Sequence, residues 1–233
     1  IINAETPDHL ATVVLEGISG SSLAEALFND LTNILIDDTY SFAQRDSALF
    51  AIEKTATAKN WPNIAKLLKN KKSTRSLRFA LDIIGNNITH FSGTEIAGIF
   101  IDYEKLCNSS DMHFSGVGYQ IPNLMSANQL EEALNAFTLE LPSNQTSSDF
   151  SNIVEEHLLG MLQQYLEKKT PSASLLWQWL CNIQGHSYQH QKWDVFSTSF
   201  FNTQENLKQS IQLLALQSDD NSEFELISPY QLS

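Results

Sequence analysis

Punctuating residues are scarce in this chain: nine glycines, six prolines and two cysteines in 233 residues. Two cysteines, Cys107 and Cys181, cannot supply a disulfide framework, so the reading is two thiols in a reducing, cytoplasmic setting. No apolar run approaches the roughly 20 residues that cross a bilayer as a helix, which argues against a membrane partner. Alternating apolar and polar residues never persist long enough for a convincing strand, and Glu223–Ile227 is the one strand-like scrap. A start Met is missing, and Ile1-Ile2-Asn3-Ala4-Glu5 lacks the charged and apolar stretches of a signal peptide. The expectation is a piece of a longer protein. Basic residues are few as well, 14 against 27 acids, for a net charge of −13.

What the chain does contain is helical periodicity. Leu23, Leu27, Leu31, Ile34 and Leu35 form one stripe, and Ile96, Ile99, Phe100, Tyr103 and Leu106 another. Leu130, Ala133, Leu134 and Phe137 repeat the spacing, as do Val154, Leu158, Met161, Leu162 and Tyr165. Leu175, Leu176, Trp179, Leu180 and Ile183 follow, then Leu207, Ile211, Leu214 and Ala215. About ten helices are expected. Ser22-x-x-Glu25, Ser92-x-x-Glu95 and Ser126-x-x-Gln129 have the capping-box spacing, in which each side chain satisfies an orphan N–H of the first turn. Thr6-Pro7, Asn60, Ser73 and Thr170-Pro171 mark further starts. Residues 108–125 read as a long loop and 142–149 as a polar linker.

Two segments match at a constant displacement of 32 residues: Leu35, Ile36, Ala48, Leu49 and Ile52 fall on Leu67, Leu68, Ala80, Leu81 and Ile84. Self-similarity at this period signals stacked helical pairs, which bury their apolar faces only against neighbours. The expected fold is therefore all-α, a HEAT-like helical-repeat (α-solenoid) array whose second helical half is free to pack differently. Its divisions are repeats over 1–107, a loop, one helix and a linker over 108–149, a second helical segment over 150–217 and an acidic tail over 218–233.

Chemistry is thin. Gly17-Ile18-Ser19-Gly20-Ser21-Ser22 lacks the P-loop lysine and reads as a turn feeding a helix. Ile99-Phe100-Ile101-Asp102 mimics a strand ending in a metal-binding Asp, but the capping box just upstream makes it helix. Cys181, His186, His190 and Asp194 carry metal-ligand side chains at a spacing that matches no zinc signature, and Gly185 ends the helix between them. Glu155-Glu156-His157 reads as a polar helix face rather than an acid–base pair. No catalytic residue, metal site or cofactor is assigned, and the fragment is expected not to be an enzyme.

One charge asymmetry stands out. Residues 54–78 hold eight bases and no acid, whereas the other 208 residues carry a net charge of −21. Lys66, Lys69, Lys71, Lys72, Arg75 and Arg78 crowd the turn between two helices and form the candidate binding site, for an anion or an acidic partner. No aromatic residue interleaves with them in the sequence. Nucleic acid is disfavoured because the rest of the chain repels polyanions. Trp177, out of phase with the core stripe that holds Trp179, is the candidate interface residue.

Leu35-Ile36-Asp37-Asp38-Thr39-Tyr40 followed by Arg45-x-x-Ala48-Leu49 resembles the HEAT-like α-helical region of large bacterial STAND-type NTPases with a NACHT-like core. So do Leu67-Leu68 with Leu77-Arg78-Phe79-Ala80-Leu81, and further on Leu176-Trp177-Gln178-Trp179-Leu180 with Asn206–Ile211. Lys208 stands where that pattern has Arg. The resemblance implies a region downstream of a nucleotide-binding module, in assemblies that signal and defend against phage. None of that module's residues has a counterpart here. It implies a non-catalytic scaffold that contacts a protein partner or neighbouring domains of the parent chain. A free-standing helical adaptor and a nucleic-acid-binding helical domain using residues 54–78 are the alternatives.

Overall fold

The computed structural model describes residues 2–57, 59–106, 116–140, 152–184 and 191–217. Among the described residues there are thirteen α-helices, one short 3₁₀ turn (Ile88–His90) and no strand, so the chain is all-α. The helices are α1 (Asp8–Ile18), α2 (Ser22–Ala26), α3 (Phe28–Ile36), α4 (Phe42–Glu53), α5 (Asn60–Asn70), α6 (Thr74–Asn86) and α7 (Gly93–Leu106). Then come α8 (Gly116–Leu124), α9 (Ala127–Glu140), α10 (Asn152–Lys168), α11 (Ala173–Gln184), α12 (Gln191–Thr203) and α13 (Glu205–Gln217). Packing divides them between two compact units, one drawn from Ile1–Phe91 and Leu106–Gly118, the other from Ser92–Lys105 and Tyr119–Ser233. No described helix is long and apolar enough to cross a membrane.

In the first unit α3 packs on α4, α5 on α6, and α3 on α5, while α1 covers α4. The second helix of each pair buries the same seven positions. In α4 these are Gln44, Arg45, Ser47, Ala48, Leu49, Ala51 and Ile52; in α6 they are Ser76, Leu77, Phe79, Ala80, Leu81, Ile83 and Ile84, each 32 residues on. The caps obey the same displacement. Ser41 Oγ accepts from the N–H of Gln44 at 3.1 Å, and Ser73 Oγ from that of Ser76 at 3.2 Å. Gln44 returns its side chain to the Ser41 N–H, which completes a capping box the sequence reading missed. The first helices run one residue out of step. Leu31, Thr32 and Leu35 are buried in α3, and Ile64, Ala65 and Leu68 in α5, so burial pairs Leu35 with Leu68, not with the half-buried Leu67. The shorter connection between α5 and α6 absorbs the slip.

Several expected helix starts shift by one or two residues. Ser21, not Ser22, caps α2. The Thr6 hydroxyl bonds to Asn3 instead of capping α1. Ser172, not Thr170, caps α11, accepting from Leu175 N–H at 3.3 Å. The boxes at Ser92/Glu95 and Ser126/Gln129 form as expected. The stripe from Leu23 to Leu35 is two helices broken at Leu27, and it leaves Leu23 exposed. Gly116–Leu124 is helical where composition predicts loop, with Pro122 inside it and Ile121 buried.

In the second unit α9 packs on α10 and α11, and α11 and α12 pack on α13. The first turn of α7 meets α9 so closely that a Cβ on Gly93 would lie 1.9 Å from the Gln129 carbonyl oxygen. That contact demands glycine, and the Gly93 N–H donates to Glu132 Oε2 at 2.8 Å.

His157, expected on a polar face, is a core residue on α10, 2% exposed, with its ring 4.8 Å from that of Phe100 on α7. Burial pushes its imidazole pKa from 6.5 down to about 4. Between those values the unfolded chain binds a proton that the folded chain refuses. The contribution is therefore full above pH 6.5 and is lost as the pH falls. Acidification from pH 7 to 5 should cost about 2 kcal/mol through this residue. Urea titrations at both pH values should show a drop smaller by that amount in His157→Phe; equal drops in the two proteins would refute the assignment.

Candidate functional site

The α5–α6 turn brings together part of the basic cluster. Lys66 and Lys69 ride on α5, Lys71 and Lys72 form the turn, and Arg75 and Arg78 stand on α6. Lys66, Lys71, Lys72 and Arg75 are exposed, while Lys69 and Arg78 are half-buried. Lys54 and Lys59 lie away from this turn, just after α4 and just before α5.

The fold brings acids to a segment that has none of its own. The N–H of Thr39 donates to Asp37 Oδ1 at 3.0 Å and holds that carboxyl below its usual range, with Lys71 adding electrostatic attraction. Asp38 accepts from Ser73 Oγ at 3.3 Å and from Ser76 Oγ at 2.9 Å, both at the start of α6. It also pairs with the guanidinium of Arg45. Arg45 is 1% exposed and fully engaged. Its Nε donates to the Leu35 carbonyl at 2.8 Å, one terminal nitrogen donates to Ser76 Oγ at 2.6 Å, and Phe79 lies 4.9 Å beneath it. Burial disfavours its charge, and Asp38 opposes that effect. This node joins α3, α4 and α6. Its signal was available, because Arg45 lies in phase with Ala48, Leu49 and Ile52.

The absence of interleaved aromatics is corrected by the fold. Phe42 stacks on Phe79 with ring centroids 4.9 Å apart, and Arg78 lies 5.0 Å over the Phe42 ring. Lys54 lies 5.3 Å over Phe50. Arg78 is thus partly committed to packing.

Lys72 holds φ at +51°, the left-handed region, as α5 ends. For a residue with a Cβ this costs about 1–2 kcal/mol, and glycine escapes it at some entropic cost. Lys72→Gly should therefore stabilise by about 0.5–1 kcal/mol. The urea midpoint should rise for Lys72→Gly and not for Lys72→Ala; a fall in the glycine variant would contradict the strain.

Elsewhere, a polar cluster between α9 and α10 is structural. Glu131 Oε2 accepts from Tyr165 Oη at 2.8 Å and from Lys169 Nζ at 2.7 Å, which ties α9 to the end of α10. Lys169 holds the Glu131 carboxyl below its usual range, with Tyr165 assisting, and burial raises the Tyr165 hydroxyl. Trp179 is fully buried, donates to Asn135 Oδ1 at 2.9 Å and meets Tyr165 edge-on at 5.0 Å. Trp177 is half-buried on α11. Among the described residues no group of three or more His, Cys, Asp or Glu is arranged to hold a metal ion. His186, His190 and Cys107 lie outside the described residues, as do the expected tail 218–233 and linker 142–149. No family model, curated protein or solved structure matches this chain.

Proposed function

We propose that this chain is a non-catalytic, HEAT-like helical-repeat scaffold that offers a surface to a protein partner or to neighbouring domains of a longer chain. The observation that carries the reading is the recurrence of one seven-position burial pattern and one serine cap in α4 and α6, 32 residues apart. Helical pairs built on one template bury their faces against each other and leave their outer faces for partners. On the resemblance set out above, the parent is a large cytoplasmic bacterial STAND-type ATPase acting in anti-phage signalling, with a free-standing adaptor as the alternative. The cluster Lys66, Lys69, Lys71, Lys72, Arg75 and Arg78 then serves an acidic protein surface. Asp37 beside Lys71 and Asp38 at the start of α6 weaken its appeal to a polyanion.

Two measurements test this. The purified chain should not hydrolyse ATP, and turnover above a heat-denatured control would end the non-catalytic reading. The parent reading frame should encode a P-loop module within a few hundred residues upstream of Ile1. A frame without one removes the ATPase attachment and leaves the adaptor.

A further inference from the structure

The second half of α4 carries an exposed stripe with an acid, a ring and a cation in that order. Asp46, Phe50 and Lys54 recur every fourth residue and are all exposed, Phe50 by 47%. Lys54 lies one residue past α4 but keeps helical angles (φ −82°, ψ −16°), so the spacing holds to the end. Among the described residues neither Asp46 nor Lys54 has an ion-pair partner. The Lys54 ammonium lies 5.3 Å over the Phe50 ring. Phe42 continues the stripe, but Phe79 and Arg78 already hold its ring. Around the stripe Glu53 and Asp82 answer Arg75 and Arg78, so the surroundings favour neither an acidic nor a basic partner. The Asn86 side chain donates to Glu53 Oε1 at 3.2 Å and engages that carboxylate within the unit.

We infer that this stripe docks on the same stripe of a second copy, α4 antiparallel to α4, with a two-fold axis through Phe50. In a two-fold contact residue i meets j and j meets i. Asp46 and Lys54 stand four residues to either side of Phe50. The axis that sets Phe50 on its copy therefore brings Asp46 of each chain to Lys54 of the other, and two ion pairs close around two rings. The three positions span about 12 Å of helix, short enough to meet without bending. Other registers fail. Centring the axis on Asp46 opposes two carboxylates, and a parallel pairing sets like charge on like charge throughout. Self-complementarity of charge thus selects the occupant, which a balanced face offers to no polyanion or polycation. One helix from each side makes a contact below standard size, so the dimer is weak and reversible. It is independent of the scaffold reading, which a monomeric chain would leave standing.

The test is sedimentation equilibrium of the intact chain, loaded from about 10 μM to about 1 mM, the range in which a weak dimer forms and dissociates. The parent should show a monomer–dimer equilibrium that weakens with added salt. Asp46→Lys and Lys54→Asp should each weaken it at least tenfold, because each variant opposes like charges twice. Mixed one to one they should pair again, since one copy then brings two cations and the other two acids. The chain carrying both changes should dimerise within threefold of the parent. Phe50→Glu should weaken the dimer at least tenfold, and Leu10→Ser, on the exposed side of α1, should leave it within twofold. All four positions are exposed, so the variants should melt with the parent. If Phe50→Glu does not, Phe50→Ser carries the same expectation. A chain that stays monomeric at the highest concentration overturns the inference. So does a dimer that survives both Phe50 variants, and so do single reversals that fail to pair when mixed. A dimer lost with Leu10→Ser alone belongs to α1 and overturns it as well.

Discussion

Ala80→Asp should come close to unfolding the first unit. Ala80 is fully buried in α6, at the position equivalent to Ala48 in α4. An aspartate there must either bury an unpaired charge or protonate, and it must also force apart helices packed at the width of a methyl group. About 4–5 kcal/mol is the expected cost, in the range reached only by buried charges and large cavities. A unit of some 90 residues holds roughly 5–14 kcal/mol in total. Its thermal midpoint should therefore fall by roughly 20 °C or more. Ala48→Asp should match it, because α4 and α6 bury the same set of positions. Arg75→Asp, on the exposed side of α6, should stay within about 0.5 kcal/mol of the parent. If Ala80→Asp melts with the parent, the shared core of the two pairs does not exist.

The parts of this fold that a sequence can announce are those decided within one turn of chain. Ser92 with Glu95, Ser126 with Gln129, and Ser73 are caps because donor and acceptor are three residues apart, and all three form. Where two candidates compete, spacing does not choose. Ser21 and Ser22 both suit a cap, and Ser21 takes the role with its hydroxyl also donating to the Ile18 carbonyl at 2.7 Å. The 32-residue displacement is right for α4 and α6, where the match rests on alanines that only a close helix contact requires. It is one residue out for α3 and α5, because Leu35-Ile36 and Leu67-Leu68 are interchangeable apolar doublets. Gly116–Leu124 has loop composition, yet the helix gains the burial of Ile121. His157 carried a readable signal, since it precedes Met161 and Tyr165 at fourfold spacing, but its neighbours Glu155 and Glu156 masked it as polar. The basic cluster shows the opposite failure. Its charges are legible in a window of sequence, but their partners Asp37, Asp38, Phe42 and Phe50 all lie outside it. Electrostatics and stacking across helices are tertiary facts, and no linear window contains them.

Asp38 is where that tertiary layer should prove most sensitive to a single substitution. Its carboxylate is 42% exposed, while Arg45, which it neutralises, is almost wholly enclosed. The two partners should therefore respond unequally to removal. In Asp38→Ala the guanidinium stays buried without its paired carboxylate, with Ser76 and the Leu35 carbonyl as its remaining acceptors and Asp37 as a weaker electrostatic partner. Breaking a buried pair in this way costs about 3–5 kcal/mol, and solvent access to the Asp38 side places the expectation near 3. In Arg45→Met the buried charge disappears, the volume is nearly kept, and Asp38 turns to water. The remaining loss is the unsatisfied Leu35 carbonyl and the stacking on Phe79, together about 1–2 kcal/mol. The double variant should then be more stable than Asp38→Ala alone, which is non-additivity of the sign expected for a buried ion pair. Urea unfolding of the four proteins measures the cycle. Equal losses in the two single variants would show that solvent reaches Arg45 as readily as Asp38. A loss under about 0.5 kcal/mol in Asp38→Ala would remove the node from the account of how α3, α4 and α6 hold together.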